Sequence, residues 1–339
     1  MKYFLIKGTL FLTAIFTTVG SVNYFGDAAN LFDQNYEKKI AEILQSGKNV
    51  TNISNYDERL LQKILIRDLD TITEMVVLGS SRAMLIGEET FKVSNIRNSS
   101  VSGASLEDLV GIYQLYKTEN ILPEKILIGI DPWIFNSNNG QNRWQTLSTE
   151  YCAFLNIACK NEAKYFKFQQ IISPSYFQSS FENLLKQSTE PQATLEYYNE
   201  SNTKLIDGSL VYNKAMREKN NDQILNSIES YQQGDIYSLN NFNKLSPKYI
   251  EEFKILINDM MNAGVIVEFV LIPYPPQVYN VLVNDYRVII AVENFVRQYA
   301  ENLKIEIKGS YDPSKYNLKN IDFYDGMHLK QEKIRGILR

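Results

Sequence analysis

The chain has 339 residues, of which 44% are hydrophobic and 22% are charged, and its formal net charge is -4. This composition is close to ordinary globular usage and excludes a disordered or fibrous chain. The charge balance and the lack of a basic block give no support to a nucleic-acid partner. The length is sufficient for one α/β domain that carries insertions.

An apolar stretch over residues 3–22 is preceded by Lys2 and interrupted by Lys7. The charge-free part that follows is about fifteen residues long, between a signal-peptide core and the roughly 20 residues of a membrane span. We expect residues 1–23 to form a single N-terminal membrane anchor, with both lysines inside and the main domain outside the cytoplasm. A cleaved signal peptide and an ordinary buried helix are the alternatives.

Residues 24–70 are expected to form a juxtamembrane helical segment, with amphipathic helices at about 35–46 and 55–68. After this segment, strand and helix patterns alternate. The predicted strands are Met75–Gly79, Val93–Asn98, Lys125–Asp131, Val265–Pro273 and Leu303–Ile307. The predicted helices lie at about 82–88, 105–118, 247–263 and 285–300. The alternation predicts a doubly wound parallel sheet, built from residues 71–136 and 246–339.

The alternation is lost between residues 137 and 245, which are rich in Asn, Gln, Ser and Tyr. This stretch is too long for a loop, and we expect a mainly helical insertion that covers the carboxyl edge of the sheet. Its two cysteines, Cys152 and Cys159, form a local disulfide if the chain is exported. Two small buried side chains on one helix face are an equal alternative. No metal or cofactor motif is present.

The stretch "MVVLGSSRAML", Met75 to Leu85, is typical of a buried strand that ends on glycine, serine and arginine. A serine at this position, with a helix after it, has its own N–H and the positive helix end available for a developing oxyanion. The hydroxyl still needs a base. The chain has one histidine, His328, and Asp325 lies three residues before it. This spacing lets the carboxylate orient the imidazole, although a simple turn with a helix-capping histidine is the alternative.

Four short blocks, "GSSR", "NSSVSGAS", "GIDPW" and "DGMH", follow one another in this order. In order and spacing they resemble the SGNH (GDSL-type) hydrolase superfamily. More narrowly, the chain resembles membrane-anchored extracytoplasmic SGNH proteins that work in the O-acetylation of bacterial cell-surface polymers. The resemblance covers about residues 70–135 and 246–330.

The resemblance implies a three-layer α/β/α flavodoxin-like domain and a serine acyl-transfer enzyme, either an O-acetyltransferase or an acetylesterase. It implies Ser81 as the nucleophile, His328 as the base and Asp325 as the orienting acid. It also implies a cell-surface glycan as acceptor, a polytopic membrane acyltransferase as partner, and a periplasmic or cell-surface location at the bacterial cytoplasmic membrane.

For the oxyanion, the resemblance implies the N–H groups of Ser81 and Gly103. The family's third block usually adds an asparagine amide, but Asp131 occupies this position here. A carboxylate cannot donate a hydrogen bond, so Asn136 or another group would have to complete the oxyanion hole.

We expect Arg82 and Asp131 to pair across neighbouring strand ends, with the arginine at the mouth of the site. A role for Asp131 in the turn before Pro132 is the alternative. Tyr274, in "VLIPYPPQVY", lies on the same edge of the predicted sheet, after a strand end held extended by prolines. Together with Arg82 and Asp131, it is a candidate for binding substrate.

Two other functional classes can be compared with acyl transfer. The missing asparagine favours a catalytically weak scaffold that binds a surface polymer or a membrane acyltransferase, whereas Ser81, Asp325 and His328 favour an enzyme. A nucleotide-binding protein is disfavoured because no "GxGxxG" or "GxxxxGK" loop follows the first strand.

Overall fold

A computed structural model describes residues 2–27, 35–92, 94–159, 171–185, 190–234, 236–239, 241–286 and 288–338. The α-helices are α1 (Lys2–Gly26), α2 (Asn35–Gln45), α3 (Glu58–Arg67), α4 (Glu88–Phe91), α5 (Leu106–Thr118), α6 (Ser148–Leu155), α7 (Pro174–Leu185), α8 (Lys214–Arg217), α9 (Asn221–Gln233), α10 (Pro247–Asn262), α11 (Pro276–Asp285), α12 (Val288–Leu303) and α13 (Gln331–Leu338). The strands are β1 (Asn49–Thr51), β2 (Met75–Leu78), β3 (Ile96–Asn98), β4 (Lys125–Gly129), β5 (Gln192–Thr194), β6 (Thr203–Lys204), β7 (Leu210–Val211), β8 (Ile266–Leu271) and β9 (Glu306–Gly309). Short 3-10 helices lie at Pro132–Phe135, Arg143–Leu147, Pro313–Tyr316 and Asn320–Asp322.

The central element is a parallel sheet of five strands in the order β3-β2-β4-β8-β9. The chain starts this sheet at β2, adds β3 on one side, and then adds the other three strands on the opposite side. The direction of strand addition therefore changes between β2 and β4. In open parallel α/β sheets, ligands bind outside the carboxyl ends of the strands at such a point.

Helices cover both faces of the sheet. Val76 and Ile126 point to one face, where they join a core that includes residues of α5, α10 and α12. Val77 and Leu127 point to the opposite face, where they pack with Ile334 and other residues of α13. This alternation along the strands buries both faces, which explains their continuous apolar sequences. The α/β class and the parallel sheet predicted from the sequence are confirmed.

A second, smaller sheet has four antiparallel strands in the order β5-β1-β6-β7. It joins the segment before the central sheet to the insertion, since β1 pairs with both β5 and β6. The sequence of residues 137–245 predicted a mainly helical insertion without strand alternation, and the structure adds the short strands β5, β6 and β7 to it. Strands of two or three residues are too short to give a recognisable alternation in the sequence.

Three local predictions differ from the structure. The expected helix at 82–88 is a turn at 81–85, followed by α4. The Asn98 side chain explains this difference, because its Nδ2 donates to the carbonyls of Ala83 (2.8 Å) and Ile86 (2.7 Å). The strand expected at 303–307 begins later, at Glu306, because α12 extends to Leu303.

The third difference concerns Pro276, which we expected to lie in extended backbone. It instead begins α11, at the helix position where a missing N–H costs least. Of the predicted strand Val93–Asn98, Ile96–Asn98 is present as β3, and Val93 lies outside the described residues.

The N-terminal helix α1 packs against α7, and the Asn23 amide donates to the carbonyls of Ile171 (2.9 Å) and Ser173 (3.1 Å). Within the described ranges, no helix combines the length and the apolar character needed to cross a membrane. In the insertion, Cys152 and Cys159 are joined by a disulfide, which decides between the two alternatives for these residues.

Candidate active site

The carboxyl end of β2 carries Ser81 at the start of the turn at 81–85. The serine is half-buried and is not followed by a regular helix. The expected contribution of a helix end to an oxyanion therefore finds no support in the structure. The sequence predicted that this serine lies at the carboxyl end of a buried strand, where the structure has it. The structure also places it next to the point where the direction of strand addition changes.

Ser81, His328 and Asp325 form a continuous hydrogen-bonded series. The Oγ atom of Ser81 lies 2.9 Å from Nε2 of His328. The other ring nitrogen, Nδ1, lies 3.0 Å and 2.9 Å from the two carboxylate oxygens of Asp325. With Nδ1 donating to the carboxylate, Nε2 is left to accept the serine proton. Chemically, this is an arrangement of a nucleophile, a base and an orienting acid.

Hydrogen bonds within its own loop keep the Asp325 carboxylate in its charged form. Burial alone would raise the pKa of Asp325, but hydrogen bonds from the His328 ring and from two backbone N–H groups lower it below its ordinary value. These N–H groups belong to Met327 and His328, and both lie 2.9 Å from Oδ1. The carboxylate therefore stays ionised at neutral pH and holds the imidazole in one orientation.

The backbone N–H groups of Ser81 and Gly103 are the expected oxyanion donors. In the described part of the chain, neither group donates a hydrogen bond to the protein. Gly103 is buried and has φ +56°, a conformation that favours glycine. Both N–H groups thus remain available for a ligand.

The Asn136 side chain was the candidate for a third donor. Its Nδ2 donates to the carbonyl of Ser238 (2.8 Å), and its Oδ1 accepts from the N–H of Asn138 (2.9 Å). The side chain is buried, and these bonds tie the loop after β4 to the insertion. The structure therefore gives Asn136 a role in holding this loop rather than a free amide for an oxyanion.

Arg82 and Asp131 form a buried ion pair. Nη1 of Arg82 donates to Oδ1 of Asp131 over 2.9 Å, and the two side chains are 1% and 6% exposed. Burial raises the pKa of Asp131, against the opposing effects of the Arg82 charge and the Ser80 hydroxyl. The guanidinium also lies over the Tyr274 ring, 3.8 Å from its centroid.

The other donors of Arg82 connect distant parts of the chain. Nε donates to the carbonyl of Met327 (3.3 Å), and Nη2 donates to the carbonyls of Pro273 (2.9 Å) and Ile272. Arg82 thus links the ends of β2, β4 and β8 to the loop that carries His328. We expected Arg82, Asp131 and Tyr274 to bind substrate, with Arg82 at the mouth of the site. All three side chains are buried in the structure, and their role in substrate binding stays a prediction.

Sequence reasoning missed four residues of the insertion that surround this site. Tyr231 packs on Gly326, whose missing side chain makes room for the ring, and burial raises the pKa of Tyr231 to about 12. Tyr212 lies edge-on to the His328 ring, with 5.7 Å between centroids. Tyr237 and Arg143 both reach Gly103. No motif marks these residues, and only tertiary packing brings them to the site.

A cavity of about 370 Å³ adjoins the histidine side of the site. The rings of Tyr198, Tyr212 and Tyr324 form part of its wall, together with the cations Arg217, Lys330 and Arg335 and the carboxylate of Glu332. Tyr324 immediately precedes Asp325 in the chain. The cavity and the serine site are therefore neighbours, joined through Tyr212 and Tyr324.

Among the described residues, no group of three or more His, Cys, Asp or Glu side chains is arranged to hold a metal ion. No protein-family model matches the chain, and no curated protein is similar enough in sequence to count as a relative. Functional inference therefore depends on the geometry of the site itself.

Proposed function

We propose that the protein is a serine acyl-transfer enzyme that acts on a cell-surface glycan, as an O-acetyltransferase or an acetylesterase. The observation that carries this proposal is the series Ser81 Oγ to His328 Nε2 (2.9 Å) and His328 Nδ1 to Asp325 (2.9 Å). Ser81 meets His328, 247 positions away in the chain, and its neighbour Asp325 at the carboxyl edge of a parallel sheet. A structural histidine would have no need of this combination of partners.

In the proposed reaction, Ser81 Oγ attacks the carbonyl carbon of the acyl donor while His328 Nε2 takes the hydroxyl proton. The bond from the carbonyl carbon to the leaving oxygen breaks, and His328 returns the proton to that oxygen. A sugar hydroxyl, or water, then attacks the acyl-serine and gives its proton to His328. The acyl group leaves on the acceptor, and the serine hydroxyl is restored. Asp325 stabilises the imidazolium in both steps.

The sheet supports the assignment of the domain to a flavodoxin-like, three-layer SGNH fold. Counted within the sheet alone, its strand order is 2-1-3-4-5, one of the two common orders of doubly wound sheets. The four blocks that resemble the SGNH superfamily lie at or near the carboxyl ends of β2, β3 and β4 and in the loop before α13.

The tyrosine-lined cavity supports a glycan as the acceptor. Sugar rings present apolar C–H faces that pack on aromatic rings, and the wall contains the rings of Tyr198, Tyr212 and Tyr324. The contact between Tyr212 and His328 brings this cavity next to the base that would activate the acceptor hydroxyl.

We further propose a membrane location, with the domain outside the cytoplasm. The helix α1 exposes large apolar side chains along its length, among them Leu10 (65%), Phe11 (68%) and Phe16 (56%). The disulfide between Cys152 and Cys159 is in keeping with an oxidising compartment. A polytopic membrane acyltransferase that supplies the acyl group is the proposed partner.

The test compares the full chain, purified in detergent, with its Ser81→Ala variant. Wild type should hydrolyse a small acetyl ester and react with a serine-directed fluorophosphonate, and the variant should do neither. The second candidate is a weak or inactive scaffold, favoured by the carboxylate of Asp131 where the family has an amide. Folded wild type without labelling or turnover would support that candidate and contradict the enzyme.

A further inference from the structure

We propose that the Tyr237 hydroxyl, held by Arg143, is the third donor to the oxyanion and takes the place of the amide that this chain lacks. The assignment rests on the proposed acyl-transfer function and adds a catalytic group that comes from the insertion. The evidence for Tyr237 comes from the residues around Gly103, whose N–H is one of the two proposed backbone donors to the oxyanion.

The Tyr237 hydroxyl is the nearest atom to the open side of Gly103. A side-chain carbon built on Gly103 would lie 1.9 Å from the Tyr237 oxygen and 2.4 Å from Nη2 of Arg143. The absence of a side chain thus lets the phenol approach the backbone atoms beside the Gly103 N–H. A group in this position can donate to the same oxygen atom as that N–H.

The hydrogen of the Tyr237 hydroxyl is available for donation. Nη2 of Arg143 lies 2.9 Å from the phenol oxygen, and a guanidinium can only donate. The phenol oxygen therefore accepts from Arg143, and its own O–H is directed to another acceptor. Among the described residues, no acceptor for this O–H is present.

The ring and backbone of Tyr237 are held from two sides. Its N–H donates to the Tyr231 hydroxyl (3.1 Å), and its ring lies edge-on to Trp133, with 5.2 Å between centroids. Trp133 in turn donates from Nε1 to the carbonyl of Ala104 (2.8 Å), the residue after Gly103. Tyr237 and the Gly103 loop are thus fixed to the same indole, which preorganises the hydroxyl as oxyanion stabilisation requires.

The other candidates for a third donor are occupied. Asp131 cannot donate as a carboxylate and is paired with Arg82. The amide of Asn136 holds the Ser238 carbonyl. Nη2 of Arg143, which also lies beside Gly103, donates to the Tyr237 hydroxyl (2.9 Å) and to Oε1 of Gln141 (3.4 Å). The Tyr237 hydroxyl, by contrast, keeps a hydrogen to donate.

The test measures hydrolysis of a small acetyl ester by the full-length Tyr237→Phe variant. Loss of one oxyanion donor should lower kcat by about 10²- to 10³-fold and leave KM nearly unchanged. The rate of fluorophosphonate labelling of Ser81 should fall with kcat, because the phosphonyl oxygen occupies the same position. Phenylalanine keeps the ring contact with Trp133, so a purely structural role would not produce this split between kcat and KM.

Two further variants complete the test. Tyr151→Phe removes a different phenol of the insertion, which is bonded to Glu252, and should retain wild-type kcat. Arg143→Gln removes the charged donor to Tyr237 and should lower kcat by a smaller factor than Tyr237→Phe. It also serves as the test variant if Tyr237→Phe does not fold.

Suppose that the activity of wild type depends on Ser81 and that Tyr237→Phe keeps kcat within about twofold of wild type. The assignment of Tyr237 is then overturned, and the proposed enzyme stands. Arg143→Gln is judged by the same limit if it replaces Tyr237→Phe. If wild type shows neither turnover nor labelling, the proposed function fails and the assignment fails with it.

Discussion

Removal of the Arg82 guanidinium should destabilise the protein more than any loss of a surface charge. The Arg82→Ala change leaves the Asp131 carboxylate buried without its partner, and the two side chains are 1% and 6% exposed in the pair. Breaking a buried pair from one side costs about 3–5 kcal/mol. The carbonyls of Ile272, Pro273 and Met327 also lose a donor, which places the expected loss in the upper half of this range.

The assay is urea unfolding of wild type and variants, followed by tryptophan fluorescence. Lys39→Ala is the control, because its pair with Glu190 is exposed and should contribute no more than about 1 kcal/mol. The double variant Arg82→Ala/Asp131→Asn should recover part of the loss, since no buried charge remains. A loss below about 1 kcal/mol for Arg82→Ala would show that the buried pair contributes no more than an exposed one.

The pH dependence of Arg82→Ala provides an independent check. Burial raises the pKa of Asp131, and the Arg82 charge opposes this rise, so its removal should raise the pKa further. A carboxyl whose folded-state pKa exceeds its unfolded value binds more protons when folded, and stability then falls as pH rises between the two values. The deficit of Arg82→Ala should therefore be smallest below pH of about 4 and grow towards neutral pH.

The remaining predictions concern the acid of the triad, the cavity and the disulfide. Asp325→Asn should lower kcat for a small acetyl ester by about 10²- to 10⁴-fold, since the imidazole loses its orienting charge, and an unchanged kcat would contradict the triad. Because the pKa of Asp325 is lowered, this carboxylate contributes stability at neutral pH that is lost as pH falls below about 4, and acid titration of Asp325→Asn should lack that component. Tyr198→Ala should raise KM for an oligosaccharide acceptor several-fold in a transfer assay, whereas an equal KM would exclude the cavity as the acceptor site. Replacement of Cys152 and Cys159 by alanine should lower the free energy of unfolding in urea by roughly 2 kcal/mol, the loop-closure value for their short separation. An unchanged free energy of unfolding would contradict a stabilising role of the disulfide.

The central sheet could be predicted because its strands are buried on both faces. Such strands give apolar runs such as Met75–Leu78 and Lys125–Gly129, which contrast with the amphipathic helices between them. The strands of the small sheet have two or three residues. Both β5 and β6 pair with β1, more than 130 positions away in the chain, and β7 pairs with β6. Their formation depends on tertiary contacts, which leave no periodic pattern in the sequence.

The turn after Ser81 shows a related limit. Its local sequence favours a helix, but the Asn98 side chain donates hydrogen bonds to the carbonyls of Ala83 and Ile86. Asn98 belongs to the next strand, so these hydrogen bonds cannot be predicted from the helix propensities of residues 82–88.

The three residues Ser81, Asp325 and His328 could be predicted from the sequence because of a short spacing and a single histidine. Asp325 and His328 are three residues apart, and the chain has one histidine to serve a serine at a strand end. The structure brings these side chains together, and their catalytic roles stay predictions. Tyr237 and Arg143 belong to the insertion, where composition alone gives no indication that two side chains return to Gly103.

The most direct test of the proposed enzyme is mass spectrometry of the intact full-length protein after brief exposure to an activated acetyl ester. We expect a covalent adduct of one acetyl group, mapped to the peptide with Ser81 and absent from Ser81→Ala. The adduct should disappear when a sugar hydroxyl or water is given time to react. If folded wild type forms no adduct, or if Ser81→Ala forms it equally, Ser81 is not the nucleophile of an acyl-transfer enzyme.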